Sequence, residues 1–256
     1  MWYYQSKRDD TNVIDKLSHL AVQLPTRGFD EYYGRIRNEG LKWNRKRVLR
    51  VYRHMQLNLR RKHKRRLPER VKEPLVQPND VNKTWSMDFM SDSMAYGRRF
   101  RVLNIIDDFN REALAIEPDF SLPSEKVITV LEELISWRGK PSQIRVDNGP
   151  EFISKALQAW MQQNGIKLKH IEPGSPTQNA YIERFNRSFR EDVLDAYLFN
   201  DLAQIRELAW NWMTDYNENH PHKALKGMSP AKYSLTFSKE GTLFREGKRY
   251  KEKCLI

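Results

Sequence analysis

The sequence predicts an α/β protein: a mixed five-stranded sheet flanked by helices, preceded by a small all-α region of helix-turn-helix outline. Three observations predict it. Apolar residues recur at helical spacing up to about residue 57 and switch to alternation at Thr84. Beyond that switch, strand patterns come first and then alternate with helix patterns, the order of a mixed sheet with helices on its faces. The charge divides at the same place. The 256 residues carry 45 Lys and Arg against 33 Asp and Glu, a net charge of +12. Residues 1–80 hold 20 of those bases and 9 of those acids, whereas residues 81–256 hold 25 and 24. Between Leu41 and Arg66 there are 12 bases and no acid. Such a block attracts a polyanion, nucleic acid above all; the alternative is a solvated basic helix with a linker.

Composition excludes several classes. A single cysteine, Cys254, rules out a disulfide framework and any multi-cysteine zinc site. No apolar run approaches the 18 or so residues of a membrane span, and no apolar signal-peptide core opens the chain. The expectation is a cytoplasmic protein. Seven Trp, 11 Tyr and 11 Phe are too many for a disordered chain.

The elements follow in order. Residues 10–24 read as a helix capped by Asp10 or Thr11, with Val13, Leu17, Leu20, Ala21 and Leu24 on one face. Phe29–Glu39 is a short second helix stopped by Gly40. Asn44 caps a third to Leu57, in which Val48, Tyr52 and Met55 share one face and Lys46, Arg50 and Arg53 point elsewhere. A short helix, a turn and a basic helix outline a helix-turn-helix. Arg60–Arg66 is a charge run, and the prolines of Leu67–Asp80 suit an extended linker. Thr84–Met94 and Arg98–Asp107 form a hairpin around Tyr96-Gly97, and Ala113–Phe120 is a third strand. Ser124–Arg138 is a helix capped by Ser124. Gln143–Val146 is a short strand, Ile153–Asn164 a helix, and Lys167–Ile171 a fifth strand. The loop Pro173–Thr177 leads to a helix over Gln178–Asp195, and a last helix covers Asp201–Asn217.

Three carboxylates stand out. Asp88 lies mid-strand among apolar residues, where a charge is costly unless paired or bound to a metal. Asp147 closes the fourth strand, and ligand sites of α/β sheets lie outside such strand ends. Glu183 borders the apolar stripe Ile182, Phe185, Phe189 and Val193, so it can lean over the sheet edge, with Asn179, Arg187 and Arg190 on its face. Three such acids can hold two hard divalent cations, Mg²⁺ or Mn²⁺, suited to phosphoryl transfer. Spacing alone is weak support in a chain with 33 acids, and each acid taken singly reads equally well as a surface charge or a cap.

The local sequences add to this. Trp85-Ser86-Met87-Asp88-Phe89, then Val146-Asp147-Asn148-Gly149-Pro150-Glu151-Phe152, then Pro176-Thr177-Gln178-Asn179-Ala180-Tyr181-Ile182-Glu183-Arg184-Phe185-Asn186 strongly resemble the catalytic core of bacterial insertion-sequence transposases of the second-reading-frame (OrfB) type, a core shared with retroviral integrases. His220-Pro221-His222-Lys223-Ala224-Leu225 and Ser229-Pro230-Ala231-Lys232-Tyr233 resemble that family's C-terminal signature. The resemblance spans residues 29–235. It implies an RNase H-like core over 81–235, a DDE triad at Asp88, Asp147 and Glu183, and two Mg²⁺ ions. Gly40–Leu57, within the helical basic region 1–66, resembles the family's small DNA-binding domain, whereas the linker over 67–80 and the tail over 236–256 carry little of the family's pattern. One departure from retroviral integrases is the lack of a His₂Cys₂ zinc module. The family further implies double-stranded DNA as substrate, a homo-oligomer on DNA, and an upstream-frame DNA-binding protein or fusion segment in a bacterial, nucleoid-associated setting.

Other candidates read more plainly. Asp107 and Asp108 suit a turn with Arg111 better than a metal. Asp92, at i+4 on a strand, lies more than about 10 Å from Asp88. His220 and His222 lack the further neighbours a zinc site needs. Trp210 and Trp212 read as core or interface. Asn148 and Asn179 either bind the scissile strand or hold the acids, and Gly149 supplies a special backbone angle. The expected activity is strand cleavage and strand transfer at element ends, with phosphate contacts from Lys46, Arg50, Arg53, Arg187 and Arg190. The alternatives are a hydrolytic nuclease on the same fold and a non-catalytic DNA-binding regulator.

Overall fold

The computed structural model describes residues 9–59, 75–149, 151–172 and 179–237. The Arg60–Arg66 charge run, most of the linker, the loop Pro173–Thr177, Gln178 and the tail from residue 238 lie outside the described residues.

The core is a five-stranded sheet in the order β3-β2-β1-β4-β5, made of β1 (Thr84–Ser93), β2 (Arg99–Asp107), β3 (Ala113–Asp119), β4 (Gln143–Val146) and β5 (Lys167–His170). The first three strands pair antiparallel, and β4 and β5 join them in parallel, so the sheet is mixed. Gly97 turns the first hairpin with φ +88°, an angle that glycine takes without strain. Strand alternation sends Trp85, Met87, Leu103 and Ile105 to one face. There they meet α4 (Ser124–Arg138) and α5 (Lys155–Gln163) through Val127, Leu131, Leu134, Leu157 and Met161. Met90, Val102 and Ile106 go to the other face and meet α6 (Ala180–Phe189) and α7 (Leu202–Asn219).

Several local expectations change. Pro123, not Ser124, occupies the cap position of α4, and no side chain caps that helix. Ser154 caps α5 by accepting from the Leu157 N–H. The helix expected to run to Asp195 ends as α-helix at Phe189 and continues as a π-helical turn, Arg190–Leu194. The stripe Ile182, Phe185, Phe189 and Val193 is nonetheless buried throughout. A short α8 (Pro230–Phe237) lies where no element was expected.

The front of the chain is a three-helix unit of α1 (Thr11–Gln23), α2 (Phe29–Asn38) and α3 (Arg45–His54), packed around Val13, Leu17, Leu20, Ile36, Val48 and Val51. Asn44 caps α3. Asp10 occupies the N-cap position of α1, but its carboxylate makes no cap bond and instead takes hydrogen bonds from Arg47 and Arg50 on α3. This unit is docked on the far side of the α6–α7 layer. Arg35 makes a two-pronged pair with Asp215 at 2.8 and 2.7 Å and reaches Glu31 at 3.0 Å, and His220 also meets Glu31. Arg27 donates to Asp192 and to the Ser188 carbonyl. Among the described residues no helix is long and apolar enough to cross a membrane.

Candidate active site

Asp88 sits on β1 facing α6, because it alternates with Met87 and Phe89, which face α4 and α5. Its Oδ2 accepts a hydrogen bond from the Asn186 side chain at 2.7 Å, and its Oδ1 accepts the Phe89 backbone N–H at 2.8 Å. Asn186 is fixed in turn: its Oδ1 accepts from Asn104 Nδ2 at 2.7 Å. Asn104 is fully buried on β2, directly opposite Asp88 in the ladder. A three-residue relay thus ties α6 to two strands.

Asp147 follows the last residue of β4. The parallel β1–β4 ladder ends at Ser86 and Arg145, so Asp88 and Asp147 both lie two residues past the last pair, where the two strands are no longer bonded to each other. Asp147 Oδ1 accepts the Gly149 N–H at 2.9 Å. Gly149 is not among the residues with positive φ, which corrects the reading of it as a special-angle position. Its need is for space, since a Cβ there would stand 3.0 Å from Asp147 Oδ1. Asn148 donates to the Ile171 carbonyl, and a His170 ring nitrogen lies 3.2 Å from the Asp147 carbonyl, so this loop is fastened to the end of β5.

Glu183 lies in the first turn of α6 with its side chain exposed. That position suits an anion at the positive end of a helix dipole. Asn179 occupies the N-cap position of the same helix. It is buried and its Oδ1 has no partner among the described residues.

The three acids act on one another. Burial pushes the Asp88 carboxyl up to about 6, the charges of Asp147 and Glu183 push the same way, and the Phe89 and Asn186 hydrogen bonds only partly offset them. Among the described residues none of the three has an ion-pair partner, although Arg187 stands at i+4 from Glu183. No three acid, imidazole or thiol groups among the described residues converge into a ready-made cage. All the donors the triad offers are carboxylate oxygens, the set that hard divalent cations take.

The remaining candidates separate clearly. Lys46, Arg53 and Arg187 are exposed and form no ion pair among the described residues. Arg50 is already engaged by Asp10, and Arg190 by Asp92, Asp195 and the Ser91 carbonyl. Asp107 and Asp108 are structural but do not pair with Arg111. Asp107 accepts the Asn82 and Phe109 N–H groups near Arg138, and burial lifts it to about 7. Asp108 accepts from Ser86 and pairs with Arg145. Arg111 instead stacks on Tyr181 at 3.4 Å. Trp212 is core, packed on Phe185, Phe189 and Tyr216. His220 and His222 belong to the docking face beside Tyr216.

Two family models, each described as an integrase core domain, match residues 78–176 and 164–230. A 31.7 kDa protein of insertion element IS407 from Burkholderia multivorans is 38% identical over 234 residues, 91% of this chain and 84% of that one. The transposase InsD for insertion element IS2 from Escherichia coli is 28% identical over 239 residues, 88% of this chain and 79% of that one. A chain in the simian T-cell lymphotropic virus intasome in complex with PP2A regulatory subunit B56 gamma is similar in fold, with a TM-score of 0.53 at 16% identity over 81% of this chain and 72% of that one. Identity of this order along most of its length means that the chain belongs to the insertion-element transposases with an integrase core domain, of the second-reading-frame type that its motifs resemble.

Proposed function

We propose that the chain is a metal-dependent polynucleotidyl transferase that cuts double-stranded DNA at element ends and joins the freed 3′ ends to target DNA, with Asp88, Asp147 and Glu183 as its catalytic carboxylates. The observation that carries this reading is the setting of Asp88: it is half-buried on β1, its carboxyl is pushed up by burial and by the charges of Asp147 and Glu183, and it has no ion-pair partner among the described residues. An apolar setting makes that arrangement costly unless a cation offsets it.

The donor set fits Mg²⁺ first and Mn²⁺ second. Held by the triad, two such ions would supply Lewis acidity to the attacking and leaving oxygens of phosphoryl transfer. Asp88 and Asp147 would share one ion between them, and Glu183 would complete the second position from α6. Asn186 keeps Asp88 turned toward α6, and Gly149 keeps Asp147 turned into its own loop. Lys46, Arg53 and Arg187, exposed and without an ion pair among the described residues, would take DNA phosphates; Arg50 and Arg190 would first have to leave their acids. The working form is an oligomer on DNA, supported by an upstream-frame DNA-binding segment.

The test is a labelled element-end substrate with Mg²⁺ and a target duplex. Glu183→Gln is expected to lose cleavage and joining by about three orders of magnitude or more while still binding the ends. Joining at the wild-type rate by that variant overturns the triad. Cutting without joining by the unaltered chain replaces the reading with a hydrolytic nuclease, and end binding with no Mg²⁺-dependent chemistry replaces it with a regulator.

A further inference from the structure

Beyond the triad, one cluster stands where the sheet opens. Arg101 on β2 lies with its guanidinium over the Phe89 ring, 4.2 Å from the centroid. Phe89 stacks on Phe152 at 4.8 Å with 17° between the planes. Arg101 also pairs with Glu151, closing the ring of contacts. Phe89 directly follows Asp88, and Glu151 and Phe152 lie in the loop that follows Asp147. The backbone ladder between β1 and β4 has already ended at Ser86 and Arg145. Beyond it, these side chains bridge the two acid-bearing segments.

We propose that Arg101 and Glu151 are positioning residues that hold Asp88 and Asp147 at the separation a shared divalent cation requires; this rests on the triad reading above. The chemistry favours a clasp over a simple surface pair. A planar guanidinium can lie flat on an aromatic face while its edge meets a carboxylate, a fixed geometry that a lysine ammonium does not impose. The carboxylate it holds is beside the site, since a Cβ on Gly149 would stand 3.0 Å from Asp147 Oδ1 and 3.6 Å from Glu151 Oε2. Left free, Glu151 would be a fourth acid next to Asp147; paired with Arg101, its charge is offset and its loop is fixed to β2, while the Phe89–Phe152 stack ties the same loop to β1. Phe152 is fully buried, so that end of the clasp is anchored in the core.

The experiment measures Mn²⁺ binding to the full chain by the loss of the free-ion paramagnetic resonance signal, with melting temperature and element-end DNA binding read in parallel. Glu151→Gln and Arg101→Met are each expected to raise the Mn²⁺ concentration at half-saturation about tenfold, the scale of other groups that orient metal ligands. Their combination is expected to do no more than either alone, because the pair acts as a unit. Arg101→Lys is expected to fall between, and the exchange Arg101→Glu with Glu151→Arg to recover most of the affinity. Unchanged half-saturation in both single variants overturns the clasp. So does an opposite response, weaker in Glu151→Gln and tighter in Arg101→Met, which would make Glu151 a direct ligand. Asp147→Asn serves as the reference: retained Mn²⁺ binding there overturns the triad itself, whereas loss there with no change in the clasp variants overturns the clasp alone.

Discussion

The side-chain amide of Asn186 donates to Asp88 Oδ2 at 2.7 Å while its carbonyl oxygen accepts from Asn104 at 2.7 Å. Asn104 is fully buried and donates from Nδ2 to Asn186, which leaves the Asn186 Nδ2 turned toward Asp88. The relay therefore fixes the orientation of the Asp88 carboxylate rather than merely touching it. Asn186→Ala is expected to raise the Mg²⁺ requirement for cleavage by about 10–100-fold. It also strands the Asn104 amide, at a cost of about 1–3 kcal/mol in stability. Asn104→Ala with Asn186 intact should show a smaller rise in Mg²⁺ requirement. Equal metal requirement in Asn186→Ala and the unaltered chain would remove the relay from the site.

The elevated Asp88 carboxyl makes stability and pH move together. Its pKa rises from 3.8 to about 6, so between those values the folded chain holds more protons than the unfolded one. Stability contributed by this group is therefore greatest at low pH and falls as pH rises from about 4 to about 6. Without divalent ions, Asp88→Asn is expected to raise stability at pH 7.5 by about 1–3 kcal/mol, and the gain should vanish near pH 3. Urea unfolding at the two pH values measures it. A gain of equal size at both would mean that charge is not its source. With metal present the order reverses, because only the ionised carboxyl binds the ion.

The helical unit is held to the core by a contact that tolerates little change. A Cβ on Gly34 of α2 would stand 2.5 Å from Cγ of Pro221, closer than packed carbons approach. Beside it, burial alone would raise the Asp215 carboxyl, but the Arg35 hydrogen bonds and charge, together with the Asn219 hydrogen bond, outweigh it and hold it below the usual range. Gly34→Leu and Arg35→Ala are each expected to destabilise the docked form by about 2–4 kcal/mol. Both should split one unfolding transition into two and expose the α2–α7 junction to limited proteolysis. A single unshifted transition in both would mean that the two parts do not depend on this face. The depressed Asp215 carboxyl adds a sign: its stabilisation is present above about pH 4 and is lost as pH falls below that value, so acid should weaken the docking.

How much of this was legible follows from the range of each interaction. Helix and strand periods are local, so the stripe Ile182, Phe185, Phe189 and Val193 and the full span of α4 could be read directly. The three acids were marked by resemblance; Asp88 and Asp147 lie at corresponding positions past the β1–β4 ladder, and Glu183 lies on α6. Asn186 stood in the quoted motif, but nothing local marks an asparagine as the holder of an acid 98 positions away. Arg35 and Asp215 are 180 positions apart, so their pairing leaves no periodic trace. A residue two places past an aspartate gave the one signal that could have been used: Gly149 follows Asp147 at the spacing of a side chain that bonds its own backbone, and that is its role. The π-helical turn at Arg190–Leu194 keeps the apolar stripe in place, so the pattern alone reads as unbroken helix.

The bases of α3 differ in how free they are, and if they contact DNA phosphates this difference is expected to govern affinity. Asp10 holds both Arg47 and Arg50, at 2.9 and 2.6 Å, whereas Lys46 and Arg53 have no ion-pair partner among the described residues. Each base that neutralises a phosphate contributes about one unit to the slope of log affinity against log salt. Lys46→Ala, Arg53→Ala and Arg187→Ala are each expected to lower that slope by about 0.9. Arg50→Ala and Arg190→Ala should lower it less, since their charge is already shared with Asp10 or Asp92. Asp10→Asn is expected to act in the other direction, releasing two arginines, steepening the slope and tightening binding to unrelated duplexes at low salt. The cost is the tie from Asp10, at the start of α1, to Arg47 and Arg50 on α3. Fluorescence anisotropy on element-end and random duplexes across a salt series reads both effects. A slope that does not rise in Asp10→Asn would mean that these arginines face away from the DNA, leaving Lys46 and Arg53 to mark the bound face.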